Sequence, residues 1–330
     1  MATGSALSPL PEKQAIASSN QVAAKSPALV FFAFFSIYFI WGSTYLGIRY
    51  AVETIPPLYT AGFRHLIAGS ILLAWALAKG LRPTAAQIRA SVIIGFFFFL
   101  IGHGTLHWAE TRIPSGLASL IIASEPIWVY LAASAAEKKW RMNGPLLAGV
   151  VLGLAGVALL LGRDAMKSGP GVFLGAIAVL AGAISWSFGI IYSRRSHLSG
   201  SPLLLSALSL LSGSALLLTA GTLFGEARGF SFAQITPRAW GALAYLILFG
   251  SVIAFTAYNW LLEHYPPTLV ATHTYVNPLV AVFLGWWLAG EKVTINVAIA
   301  AALVILAVFL VDRGMARLES SKASPVAEPL

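Results

Sequence analysis

The chain has 330 residues, of which 58% are hydrophobic and only 10% charged, with a net charge of +9 and no cysteine. Soluble domains carry about 25% charged residues, so a water-facing globule is excluded. Disulfides and thiolate metal sites are excluded as well, and the basic excess is better explained by membrane topology than by nucleic-acid binding.

In chain order, residues 1–27 are polar, rich in Ser, Ala and Pro, and without hydrophobic periodicity. They predict a disordered cytoplasmic tail and lack the charged start and short apolar core of a signal peptide. Ten apolar blocks follow, at 28–50, 57–78, 90–110, 116–136, 144–162, 171–192, 202–224, 239–262, 268–289 and 295–312. Each approaches the ~20 residues that a helix needs to cross ~30 Å of hydrocarbon. Residues 313–330 predict a second cytoplasmic tail. The fold class is therefore an all-α polytopic membrane protein with ten transmembrane helices and both termini on one side. With the termini inside, the inner segments hold 13 Lys and Arg residues and the outer segments 7, while Arg64 lies within a span. That asymmetry favours cytoplasmic termini in an inner or plasma membrane.

The two halves repeat. Trp41, Arg49 and Pro57 reach Trp186, Arg194 and Pro202 on adding 145, and Trp108, Pro114, Leu117 and Pro126 reach Trp260, Pro266, Leu269 and Pro278 on adding 152. Residues 28–162 and 171–312 then form two five-helix repeats, and an odd number of spans inverts the second against the first. Inverted repeats are a hallmark of transporters, which hold substrate near the bilayer midplane.

Several polar and aromatic residues lie within the spans. Trp41, Thr44 and Tyr45 share a face of the first helix, and Trp186 is the repeat mate of Trp41; they suit an apolar pocket with polar tips, or ordinary packing. Arg64, in the second span, lies ~10 Å deep. His103, His107 and Glu110 follow at i, i+4 and i+7 on one face, a spacing compatible with cavity lining, with packing, or with divalent-metal ligation. Glu125 lies ~14 Å below the outer boundary, and its repeat mate Asn277 ~14 Å above the inner one. Pro126 and Pro278 follow directly, and such breaks are tolerated where helices line a cavity. Glu125 either pairs with Arg64 and stays ionised, or stands alone and holds a proton; a purely structural bond is the third reading. His273 and Asn277 share a face of the ninth span, suited to hydrogen bonding with a ligand or a neighbouring helix. The glycines of "GVVLGLAGVALLLG" (Gly149 to Gly162) permit close helix approach, within one subunit or in a dimer.

Three stretches carry a family resemblance. "FIWGSTYLGIRYAV" (Phe39 to Val52), "HWAETRIPSGLASLIIASEPIW" (His107 to Trp128) and "LFGSVIAFTAYNWLLEHYPPTLVATHTYVNPLVAVFLGWWLAGEKVT" (Leu248 to Thr294) resemble EamA-type permeases of the drug/metabolite transporter superfamily, metabolite/amino-acid exporter branch. The resemblance implies two inverted EamA repeats, cytoplasmic termini, a central cavity, and export of small metabolites, amino acids or amphipathic drugs. The family often ends its fourth and ninth spans with Gly-Glu; Gly290-Glu291 keeps this, whereas Ala136-Glu137 does not.

The leading expectation is a non-enzymatic secondary carrier with substrate contacts among Trp41, Thr44, Tyr45, Arg64, His103, His107, Glu125, Trp186, His273 and Asn277. No cofactor is expected, and no G-x-x-x-x-G-K-[ST] loop is present to couple nucleotide. The partners are a small molecule and the lipid bilayer, with coupling to protons or none, as monomer or homodimer. The alternatives are a membrane enzyme acting on lipid-like substrates and a metal transporter using His103, His107 and Glu110.

Overall fold

A computed structural model describes residues 26–138, 140–161, 169–196, 201–265 and 267–323. The predicted tail at 1–25 and the last residues, 324–330, lie outside them. The described residues form helices α1 (Pro27–Ala51), α2 (Pro57–Ala78), α3 (Ala85–Glu110), α4 (Ser115–Glu137), α5 (Gly144–Leu161), α6 (Pro170–Arg195), α7 (Pro202–Leu223), α8 (237–264), α9 (His273–Ala289) and α10 (Ile295–Ala323), with no strand among them. Nine are long and apolar enough to cross a membrane. The tenth, α9, has 17 continuous residues and follows the short turn Pro267–Val270. α10 continues as helix through Ala323, past the Asp312 boundary of the last apolar block.

Local chemistry sets the helix ends. Proline opens α1, α2, α6, α7 and α8, where its missing N–H costs nothing. Thr84 and Gln87 close a capping box on α3. α4 and α9 both end on a left-handed residue: Gly290 at φ 65° in α9, and Lys138 at φ 54° in α4. The first repeat thus makes the same turn without the glycine, and a side-chain-bearing residue takes the strain.

Three helices loosen into π geometry, at Ser36–Ile40, Phe96–His103 and Leu246–Ile253. The last two are repeat equivalents. α4 breaks into Ser115–Ile122 and Glu125–Glu137. Pro126 supplies no N–H to the preceding turn, so the break falls directly before it. Ser124 steadies the break by donating to the Ile121 carbonyl at 2.6 Å and accepting from Trp128 Nε1 at 2.9 Å.

Packing follows the repeat. α2 packs on α7 and α5 on α10, each on its own counterpart; α1 packs on α8 and α9, while α6 packs on α3 and α4. Exchanging halves turns the second set of contacts into the first, as a two-fold relation requires. The α5 glycines serve this packing: a Cβ on Gly149 would meet the Ala307 carbonyl of α10 at 2.8 Å, and one on Gly156 would meet Val304 at 2.8 Å. Close approach within one chain accounts for that glycine run.

The face with the start of α1 and the end of α10 is here the terminal face, and the opposite one the far face. The far face is tied across the repeats by polar bonds. Glu291, after α9, accepts from Ser115 N (2.7 Å), Ser115 Oγ (2.9 Å) and Gly116 N (3.1 Å), capping α4. Glu226 caps α2 through Leu58 N (3.1 Å) and Tyr59 N (3.0 Å). Arg238 of α8 pairs with Glu53 after α1, and Tyr50 donates to the Leu288 carbonyl at 3.0 Å.

Candidate functional site

Two aromatic clusters meet the centre of the bundle from opposite repeats. In the first, Trp41 of α1 donates from Nε1 to the Gly250 carbonyl of α8 at 3.0 Å, within the π stretch. Its ring centroid lies 5.1 Å from that of Tyr258 and 5.2 Å from that of His273, and the latter two are 5.8 Å apart. His273 Nδ1 sits 2.9 Å from the Val270 carbonyl. A carbonyl only accepts, so Nδ1 carries hydrogen and the neutral ring offers Nε2 as an acceptor.

In the second cluster, Trp186 of α6 stacks on Phe98 at 4.2 Å and on His103 at 5.2 Å. His103 Nδ1 lies 2.7 Å from His65 Nε2 of α2, an imidazole pair. Arg64, 5% exposed, donates from Nε to Ser251 Oγ of α8 at 2.8 Å. The bond again lands on the α8 π stretch, where Gly250 leaves room: a Cβ there would approach Arg64 Nη2 to 3.2 Å.

Glu125 stands apart from both clusters. It opens the second segment of α4, near mid-helix, and is half-buried. Among the described residues no ion pair or hydrogen bond reaches its carboxylate, and the ion pair with Arg64 is not formed. A bare carboxylate at bilayer depth costs about 2.5–3.5 kcal/mol by insertion scales, a cost that a ligand or proton would offset.

The other expected contacts divide. Tyr45 is half-buried and packs against the core that holds Leu106 and Ala109 of α3. Thr44 is buried and donates to the Trp41 carbonyl at 2.6 Å, so its hydroxyl serves its own helix. Asn277, with its nitrogen turned toward three carbonyls, donates to His273 (3.2 Å), Ile37 (2.9 Å) and Tyr38 (2.9 Å). The last two are carbonyls of the α1 π stretch, which makes Asn277 a brace between α9 and α1. His107 is fully buried; its Nδ1 donates to the His103 carbonyl at 2.7 Å and its Nε2 has no partner. Both Glu110 oxygens are buried without a partner. Each such orphan costs about 1–3 kcal/mol. The helical spacing of His103, His107 and Glu110 does not become a metal centre: among the described residues no three His, Asp or Glu side chains converge.

This arrangement of two five-helix units has counterparts. The profile of the EamA-like transporter family matches residues 28–162 and again 173–312. The chain belongs to the EamA-like transporter family. An Escherichia coli K12 protein named as an uncharacterized inner membrane transporter, YedA, is 35% identical over 86% of this chain and 91% of its own length. The uncharacterized transporter YoaV of Bacillus subtilis is 24% identical over 83% and 94%. A solved crystal structure, 21% identical, superposes with a TM-score of 0.59 over 86% of this chain and 97% of that one, which supports the fold.

In this EamA-like transporter some site residues escape sequence reasoning. His65 follows Arg64 directly, yet only the fold brings it to His103. Tyr258 joins the site through its contact with Trp41, and Ser251 through its bond to Arg64. The repeat signal was available for the π stretch, since Phe96–His103 and Leu246–Ile253 lie at one offset, but hydropathy alone does not register a widened turn.

Proposed function

We propose that the chain is a secondary carrier that exports small metabolites, amino acids or amphipathic drugs through a central cavity by alternating access. The terminal face is cytoplasmic, and the membrane is the inner or plasma membrane. The observation that carries this reading is the partnerless, half-buried Glu125 at the head of the second α4 segment. A carboxylate at this depth needs a proton or a ligand group, and the rings of Trp41, Tyr258 and Trp186 supply apolar, polarisable surface for a small amphipathic molecule.

Unequal faces support alternating access. The far face is tied across the repeats by Glu291, Glu226 and the Glu53–Arg238 pair, with a surface hollow beside Glu291 lined by Trp286, Lys292 and Thr294. On the terminal face, the matching junction of α3 and α6 is an open cleft lined by Ala86, Arg89, Ala90, Tyr192, Arg195 and Ser196. Two arginines stand there, where the far face has an ion pair. Polar ties on the far face and like charge on the terminal face support a carrier whose terminal side parts more readily.

Uptake into inside-out vesicles tests the proposal with tryptophan, lysine, tryptamine and ethidium as probes. Saturable uptake of at least one probe, lost in Glu125→Ala, is expected. Uptake no greater than in vesicles without the protein for every probe, or full retention in Glu125→Ala, contradicts it.

A further inference from the structure

Besides Glu125, the first repeat buries a second set of titratable groups. Glu110, at the far-face end of α3, is 0% exposed and both its carboxylate oxygens lack partners. One turn back, His107 is also 0% exposed, with a free Nε2. One further turn back is His103, bonded to His65, whose Nδ1 is likewise buried without a partner. The set runs down one face of α3 from the sealed far face to the half-exposed His103 ring at the centre.

Among the described residues the surrounding cations form no ion pair with the Glu110 carboxylate. From α1, Arg49 spends its guanidinium on the Glu110 backbone carbonyl at 2.5 Å and forms no ion pair with the carboxylate. Tyr45 faces Glu110 from the same helix, and Arg64 and His65 approach the column from α2. Glu291, beyond α9, adds a second carboxylate, but its oxygens are taken by Ser115 and Gly116. From α6 only the Trp186 ring touches His103. A carboxyl buried without a hydrogen-bond partner is a site that a proton can occupy. Among the described residues no group of three His, Asp or Glu side chains that could hold a metal ion forms here.

We propose that Glu110, His107, His103 and His65 form a proton-binding column separate from the substrate contact at Glu125, and that the proton held there is exchanged for substrate. Glu110 and His107 do not bond one another here, and each offers the proton a place of its own, a carboxyl oxygen and the free Nε2 lone pair. Opening the far-face ties hydrates Glu110 and returns its proton to, or draws one from, the outside.

The exchange step rests on the carrier reading, whereas proton binding does not, so the experiment has two arms. Infrared spectra of the full chain in lipid nanodiscs, without substrate, are compared at pH 7 for wild type and Glu110→Gln. A protonated-carboxyl C=O band in the difference spectrum is expected; an ionised-carboxylate band overturns the proposal. In proteoliposomes, whichever probe the wild type carries is followed both as substrate-for-substrate exchange and as accumulation against a pH gradient. Glu110→Gln is expected to keep exchange and lose accumulation about tenfold. Equal accumulation overturns the coupling role, while absence of exchange in the wild type counts against the carrier reading alone. If Glu110→Gln does not fold, His65→Gln takes its place: accumulation lost with exchange kept supports the column, and accumulation unchanged overturns it.

Discussion

Replacing Glu125 with Met separates stability from function. The carboxylate has no hydrogen bond or ion pair among the described residues, so removing it breaks nothing inside the protein. An ionised side chain at mid-bilayer costs about 2.5–3.5 kcal/mol, and its partial exposure lowers that toward about 1–2 kcal/mol. Met matches the length of Glu and its thioether suits the neighbouring rings. Glu125→Met is therefore expected to be more stable than wild type by about 1–2 kcal/mol while losing probe uptake. The assay is reversible unfolding in mixed micelles, run beside vesicle uptake on the same preparation. Destabilisation by about 1 kcal/mol or more would refute the reasoning, because it would mean that Glu125 makes a structural bond of ordinary strength.

Asn277→Ala strips the brace from the Ile37 and Tyr38 carbonyls and is expected to cost about 1–3 kcal/mol in the same unfolding assay. Lys138→Gly relieves the left-handed helix end and is expected to add about 1 kcal/mol. Glu291→Ala removes the far-face cap from α4. Because the chain has no native cysteine, a single Ser119→Cys reports this cleanly: labelling by an impermeant maleimide from the far side is expected to quicken several-fold. Glu226, in the α7–α8 connection, has its carboxyl pushed up by burial, against the pull of the Leu58 and Tyr59 N–H groups. The folded state then holds that proton more tightly than the unfolded chain, so its stabilising contribution is present at low pH. It falls away as pH rises from the ordinary Glu value, about 4.3, through the raised native one. Thermal melts of Glu226→Gln across that range are expected to be flatter than those of wild type.

Much of the architecture is legible because hydropathy and repetition are properties of single segments. Ten apolar blocks foretell the helices, and the Trp41/Trp186 and Pro126/Pro278 offsets foretell the matched packing of the two halves. Pro126 marks the break beside Glu125, since a missing N–H acts locally. Partnerships between distant segments are not legible in this way. Nothing near Arg64 indicates that it will choose Ser251 over Glu125, and nothing near Asn277 indicates that it will spend its amide on α1 carbonyls. The left-handed turn at Lys138 is hidden for a different reason: the glycine that usually marks such a turn is absent, and tertiary packing imposes the geometry instead.

The central claim is that Glu125, free of any partner within the protein, contacts the transported molecule. Equilibrium binding to the full chain in nanodiscs tests it most directly, with wild type and Glu125→Gln measured for a probe that the wild type transports. The account expects at least tenfold weaker binding in Glu125→Gln with the fold intact; equal affinity in the two proteins would contradict it.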